Sequence, residues 1–268
     1  SSTNANSVSF ISGSAPEANV DIPFTVESEI IFPNNGHPKD KNYFLLSSLT
    51  SSLFGMHTAR QASYEKVPSS PTDYNDLAWH VNDAANFQVY AGRKTLAHDN
   101  LNSNNGFTNK DAFFTLTSSQ EGFALELTSS VFKNVYDDNK WNFAVRVVPT
   151  KYPLAKYISG SLSQRGGGTY LDGAADTANH YKVEFYGVNT DLDVISNEFL
   201  LTASLSYEKG RNFLSSSKRM YAGASRTNFT GSALYSTDIK FSSLKCWLDY
   251  IDDDTIQAHS RDPKNIGR

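Results

Sequence analysis

Apolar and polar side chains alternate along many short stretches of this chain, most clearly in residues 22–32 (IPFTVESEIIF). Side chains two apart in a strand lie on the same face, so this alternation predicts a strand with one face on a core and the other in solvent. The turn-forming run after Pro33 is expected to end it. The apolar face comprises Phe24, Val26, Ser28, Ile30 and Phe32, and the polar face Thr25, Glu27 and Glu29.

The same pattern recurs and predicts about a dozen strands separated by turns, which indicates two packed antiparallel sheets. In residues 141–148 and 198–207 the larger side chains occupy alternate positions, as in antiparallel sheets with one face on the core and one in solvent. Residues 1–20 are interpreted as an arm or a first edge strand. The other predicted strands are 43–46, 52–56, 77–81, 85–91, 112–117, 123–128, 156–162, 181–188 and 239–247.

One segment, 252–260, is predicted to be helical, with Asp252 or Asp253 as its N-cap and Pro263 beyond its end. Ile256 and His259 would share a face of it, and His259 is interpreted as a packing residue with a polar partner. The segments 61–75 and 94–110 read as long polar loops. No internal repeat or linker divides the chain, so a single domain over 1–268 is predicted.

Composition and charge narrow the choice of function. Charged residues are 19% and aromatic residues 13% of the 268 residues, which allows a sizeable core. The net charge is -4 and no basic run exceeds Lys218-Arg219, so nucleic-acid binding is not expected. No apolar run approaches the roughly 20 residues that cross a bilayer, so no membrane insertion is expected. The lone Cys246 is interpreted as a small buried thiol. Because the chain begins at Ser1, it is expected to be a processed product or a piece of a longer protein.

Two segments resemble a known family. An aspartate-rich turn leads to a tryptophan strand in residues 137–147 (DDNKWNFAVRV). In residues 221–259 a strand ending in glycine, an F-x-G turn, a strand leading to Trp247 and an acidic helix start follow one another. Both resemble the laminin-G-like domains of the concanavalin A-like lectin/glucanase superfamily. The resemblance implies an all-β, antiparallel jelly-roll β-sandwich with one concave sheet and one short C-terminal helix.

The superfamily's glucanases carry catalytic carboxylates in a pattern like E-x-D-x-x-E. The nearest match is Glu27-Ser28-Glu29, which puts two carboxylates on one strand face but lacks the central aspartate and the third carboxylate. Glu27 and Glu29 are therefore interpreted as residues of a solvated strand face. The dispersed histidines and the absence of a nucleophile elbow or phosphate loop also favour a protein that is not an enzyme.

Candidate binding residues lie in the predicted turns and loops. The resemblance implies a rim loop that can bind calcium or glycans, and Asp137 and Asp138 are the candidate calcium ligands, although turn chemistry alone also explains them. Trp141 and Trp247 are expected in the core. The candidate glycan contacts are Tyr74, Trp79, Asn104 and Asn105.

The sequence therefore predicts a non-catalytic structural or adhesive module of a larger assembly. Its strand WNFAVRV and its ending DPKNIG resemble modules in structural proteins of large tailed phages and other viruses. A capsid, tail or fibre component of a virion that oligomerises through assembly and contacts partner proteins or surface glycans is the favoured setting. The alternative is a secreted, extracellular carbohydrate-binding or adhesion module assisted by calcium, and a glycoside hydrolase is a distant third.

Overall fold

The computed structural model describes residues 7–8, 22–34, 50–59, 86–93, 110–119, 122–150, 181–191, 193–206, 209–210, 213–214, 216–226, 233–234, 237–262 and 264–265. The predicted strands 43–46, 77–81 and 156–162 lie outside these residues, as do loop 61–75 and nearly all of 94–110. The strands are β1 (Ser7–Val8), β2 (Phe24–Phe32), β3 (Thr50–Ala59), β4 (Asn86–Arg93), β5 (Ala112–Thr117), β6 (Glu126–Thr128), β7 (Asn139–Pro149), β8 (Tyr181–Asp191), β9 (Val194–Leu205), β10 (Ser217–Ala222), β11 (Ser225–Arg226), β12 (Ala233–Leu234) and β13 (Lys240–Trp247), and a C-terminal helix is α1 (Asp253–Arg261).

The strands form two large antiparallel sheets and one short ribbon. One sheet has the order β1-β10-β3-β4-β5-β6, the other has the order β13-β2-β7-β8-β9, and β11 pairs with β12. Every pair is antiparallel, including β2 with β7, where Phe24 lies opposite Val147 and Phe32 opposite Asn139. The prediction of a mostly β chain with two antiparallel sheets is confirmed.

Aromatic side chains join the two sheets face to face. Phe114 of β5 lies 5.8 Å from Phe32 of β2, and 4.7 Å from both Trp141 and Phe143 of β7, measured between ring centroids. Trp141 is 1% exposed, as predicted for a core residue. Since the rings come from both sheets, burial of these apolar surfaces is what holds the sandwich together.

The alternation of apolar and polar residues predicts the positions of the strands more accurately than it predicts which of their faces are buried. The apolar face of residues 22–32 does lie in the core, but the polar face of β2 is buried as well. Strand β7 is likewise buried on both faces over most of its length. The prediction of one solvated face is therefore wrong for both strands. Strand β9 does show alternating exposure, and it lies at an edge of its sheet.

Helix α1 explains the double burial, because it packs on the outer face of the five-stranded sheet. The side chain of Asp252 accepts a hydrogen bond from the backbone N–H of Thr255 and so caps the first turn, as predicted. Ile256 and His259 are both buried on the face of α1 that meets the sheet. Ile256 packs in a small apolar cluster with Tyr186 and Val188 of β8, and Trp247 lies against that cluster.

Candidate functional site

Charged and polar side chains fill the space between the outer face of the five-stranded sheet and helix α1. We call this group the charge layer, and its side chains come from β2, β7, β8, α1 and the segment before α1. Burial of this kind is rare for ionisable groups unless they are paired. The charge layer comprises Glu27 (1% exposed), Asn142, Arg146 (0%), Glu184, Tyr250, Asp253 and His259 (0%).

Glu27 is the centre of one half of the charge layer. Its Oε2 lies 2.8 Å from Nδ1 of His259, and its Oε1 accepts a hydrogen bond of 3.3 Å from Nδ2 of Asn142. The ammonium of Lys245 is 3.6 Å from the same Oε1. The Trp247 ring stacks on the His259 ring at 5.7 Å between centroids. The predicted packing role of His259 with a polar partner is confirmed.

The solvated position predicted for Glu27 and Glu29 is wrong. Both carboxylates are buried, at 1% and 4% exposure, because α1 covers the polar face of β2. Oε2 of Glu29 lies 3.6 Å from Nζ of Lys140, and that ammonium also donates a 2.7 Å hydrogen bond to the carbonyl oxygen of Ser260. The carboxylates on this strand face thus bind the helix and the sheet to each other.

Arg146 is the centre of the other half. Its Nη1 donates to Oε2 of Glu184 at 3.1 Å, and its Nη2 lies 2.6 Å from Oδ1 of Asp253 at the start of α1. The hydroxyl of Tyr250 donates to the same Oε2 of Glu184 at 3.0 Å. The guanidinium carbon is 5.3 Å from the ring centroid of Tyr186 and 5.1 Å from that of Tyr250. Arg146 therefore joins β7, β8 and α1 in one contact.

The surroundings shift the pKa values of three members of this region. Burial opposes ionisation of Glu184, but the hydrogen bonds and charges of Lys182 and Arg146 outweigh it and lower the pKa of the carboxyl group. Burial raises the pKa of Tyr186 and of Tyr250 to about 12. Both phenols therefore stay protonated through the physiological range and act as hydrogen-bond donors.

The hydrogen bonds and ion pairs of the charge layer hold helix α1 against the sheet. General acid–base work requires a carboxyl group within hydrogen-bond reach of a substrate. Glu27 instead reaches His259 and Asn142, and Glu184 reaches Arg146 and Tyr250. On the side where α1 lies, the carboxylate oxygens of Glu27 and Glu184 therefore already bind donors of the protein itself.

Asp137 and Asp138 lie in the turn before β7, as predicted, and both are exposed. Oδ1 of Asp137 accepts hydrogen bonds from Nζ of Lys110 at 2.5 Å and from Nδ2 of Asn34 at 2.9 Å. Oδ1 of Asp138 accepts one of 3.2 Å from the backbone N–H of Asn34. Asp138 also has a φ of 58°, a left-handed turn conformation that aspartate tolerates.

These two carboxylates by themselves fall short of a calcium site. Calcium takes six to eight oxygen ligands, and the Asp137 carboxylate already carries the Lys110 ammonium. In the part of the chain that the structure describes, no group of three or more His, Cys, Asp or Glu side chains is placed to hold a metal ion. Calcium binding at this turn remains a prediction that would need further ligands.

The glycan contacts predicted from the sequence, Tyr74, Trp79, Asn104 and Asn105, lie outside the described residues. The glycan prediction therefore stays a prediction. No helix among the described residues is long and apolar enough to cross a membrane.

Sequence reasoning missed Arg146 and Glu184. Arg146 lies on the face of strand 141–148 that is predicted to be in solvent, and no face is predicted for Glu184 in strand 181–188. The signal that could have found them is position: the two residues pair directly across the β7–β8 ladder and have opposite charge. An opposite-charge pair across a ladder stabilises the two strands, but by itself it does not show whether their face is covered.

No family model, no curated protein and no solved structure matches the chain. The resemblance of 137–147 and 221–259 to laminin-G-like domains therefore remains an expectation from the sequence.

Proposed function

We propose that this chain is a non-catalytic structural or adhesive β-sandwich module of a larger assembly. A virion component (capsid, tail or fibre) is the setting we favour, because of the resemblance of the strand 141–147 and the ending 262–267 to virion modules. The module would contact partner proteins or surface glycans. The strand orders β13-β2-β7 and β10-β3, in which distant parts of the chain pair, support a jelly-roll connectivity.

The observation that carries the proposal is the state of Glu27. It is the best strand-borne candidate for a glucanase carboxylate, yet it is 1% exposed beneath α1 and held by His259, Lys245 and Asn142. A face that is used to hold a helix supports a scaffold role better than a hydrolytic one. The fully buried Arg146 on the same face supports it too.

A substitution at Glu27 separates the two roles. If Glu27 is structural, Glu27→Gln should lower the urea midpoint, because His259 and Lys245 lose their anionic partner, and neither form should release sugar from a panel of polysaccharides. Glu126→Gln, at an exposed strand position, is the matched control and should leave the midpoint unchanged. Hydrolysis by the unaltered chain that Glu27→Gln abolishes would overturn the proposal.

The assembly role needs its own measurement. Cross-linking and mass spectrometry on the native source material should join this chain to other chains, as expected of specific interfaces, which bury more than roughly 1,000 Å². Recovery of the chain solely as a free monomer from that material would contradict the proposed role. On a glycan array, binding lost in Trp79→Ala would favour the carbohydrate-binding alternative.

A further inference from the structure

Strand β9 is an unusual edge. Among the described residues, four strands end the two large sheets: β1 and β6 in the six-stranded sheet, β13 and β9 in the five-stranded one. Proteins protect such edges by keeping them short or by placing lysine or proline on them, because an open edge can pair with another chain. β1 has two residues, β6 has three, and β13 carries Lys240 and Lys245. β9 has 12 residues and contains no lysine, arginine or proline.

The side chains of β9 are only partly covered, although β6 of the other sheet lies close to this strand. Leu200 is 46% exposed on the outer face, and Phe199 and Leu201 are only partly buried on the inner face. The one charged residue of the strand, Glu198, is turned away to its own sheet and helix: its Oε2 accepts hydrogen bonds of 3.2 Å from the Tyr186 hydroxyl and from Nε2 of Gln257. In the described part of the chain, no strand pairs with the far edge of β9.

We propose that β9 pairs antiparallel with β9 of a second copy of this chain, about a two-fold axis at Leu200, so that two five-stranded sheets join into one. Such an axis, perpendicular to the sheet, keeps inner residues opposite inner residues and outer opposite outer. This inference deepens the proposed assembly role and rests on it: it names a second copy as one partner of the module.

The sequence of β9 suits this register. With Leu200 facing its own copy, Phe199 faces Leu201 and Glu198 faces Thr202. On the outer face, the two Leu200 side chains then cover each other's exposed aliphatic surface. On the inner face, Phe199 and Leu201 of the two copies bring the two hydrophobic cores into contact. An axis at Glu198 would instead place two carboxylates opposite each other, which is destabilising.

A bulge sets the limit of the pairing. Asn197 pairs with Asn189 and Ile195 with Thr190, so Ser196 is an extra residue that interrupts the β8–β9 ladder. Residues before it change face, and Ile195 packs on the outer apolar cluster instead. The regular segment 197–203 is therefore the part that can pair with its copy through main-chain hydrogen bonds.

A charge swap at the axis tests the proposal on the full 268-residue chain. In sedimentation velocity between about 1 and 100 µM, the unaltered chain should form a dimer, and Leu200→Lys and Leu200→Glu should each raise its dissociation constant at least about tenfold. An equimolar mixture of the two variants should recover a dimer, because lysine then faces glutamate. Val194→Lys, at a more exposed position of the same strand outside the pairing segment, is the control and should dimerise normally.

A cysteine placed on the axis gives a second readout. Leu200→Cys should form an intermolecular disulfide under mild oxidation, since directly opposed Cα atoms lie roughly 4.5–5.5 Å apart, and Val194→Cys should not. A monomeric unaltered chain across the concentration range, or a dimer that neither the single charges nor the mixture affects, would overturn the β9 pairing. If cross-links to other chains in the native material survive that result, the assembly role stands and only the partner is wrong.

Discussion

Lys218 places a fully buried amine in the core of the sandwich. Its Nζ donates hydrogen bonds to the carbonyl oxygens of Leu214 at 3.3 Å and Ser216 at 3.0 Å. The ring centroids of Phe24 and Phe213 lie 5.3 and 4.9 Å from that nitrogen. Burial lowers the pKa of the Lys218 ammonium well below its ordinary 10.5. The free energy of unfolding should therefore depend on pH through this one amine.

We expect Lys218 to make stability rise with pH on the alkaline side of neutrality. Between its folded pKa and about 10.5 the unfolded chain binds more protons than the folded chain, so the free energy of unfolding increases as pH increases. Urea unfolding at several pH values up to about 9.5 should show this rise in the unaltered chain and a smaller rise in Lys218→Met. Equal slopes in the two proteins would contradict the assignment.

Cys246 should be an inert thiol while the chain is folded. Its Sγ lies 2.8 Å from Sδ of Met220, and burial raises its pKa to about 12. Because the thiolate is the nucleophile, a pKa some three units above the ordinary value should slow reaction with a disulfide reagent about a thousandfold at pH 8.

An added surface thiol provides the comparison for Cys246. Ser204→Cys, at an exposed position of β9, should react at once in the folded protein, and Cys246 should react only after denaturant is added. Fast modification of Cys246 in the folded protein would show that the thiol is more accessible than its contacts imply.

At the scale of single elements, helix α1 depends on a few buried contacts. His259→Ala should cost about 2–4 kcal/mol of stability, since it removes a buried partner of the Glu27 carboxylate and leaves a void beside Trp247. Urea or thermal unfolding measures the loss. Asp254→Ala, on the exposed side of the same helix, should stay within about 0.5 kcal/mol of the unaltered chain.

The elements also show what the sequence could and could not predict. The alternation in residues 22–32 predicts β2, and Asp252 with Ile256 predicts α1, because both signals are local. What covers Glu27 is not local: its partner His259 is 232 positions along the chain. A period-2 pattern identifies the two faces of a strand, but it carries no information about a helix packing on the polar one.

The same difference between local and distant signals applies to the acidic turn and to the edge of β9. The acidic turn at Asp137 and Asp138 was predictable in position, whereas the lysine that neutralises Asp137 comes from position 110. The open edge of β9 could not be predicted, because the alternation in 198–207 is the same for a central strand and for an edge strand. Only the order of strands in the sheet identifies an edge.

For the whole molecule, Tyr250 of the charge layer and Tyr186 beside it predict a loss of stability at high pH. The pKa values of Tyr186 and Tyr250 are raised to about 12, while an unfolded tyrosine titrates near 10. The stabilisation from their protonated forms is therefore complete below about pH 10 and is lost as pH rises towards 12. The urea midpoint should fall in that window, together with the appearance of tyrosinate absorbance.

Tyr250→Phe isolates one of the two phenols. It removes the hydrogen bond to Glu184, so it should be less stable by about 1 kcal/mol at neutral pH but should lose less of its stability above pH 10. An unchanged alkaline profile in Tyr250→Phe would assign the loss to other groups.

The distance in sequence between Glu27 and His259 has a consequence for synthesis. A chain that emerges from the ribosome completes β2, β7 and β8 well before α1 exists, so the outer face of that sheet must wait uncovered. Because this face presents Glu27, Arg146 and Glu184 instead of a continuous apolar surface, water can solvate it during the wait. We therefore expect these charged residues, which later hold the helix, to reduce aggregation of the nascent sheet until α1 packs on it.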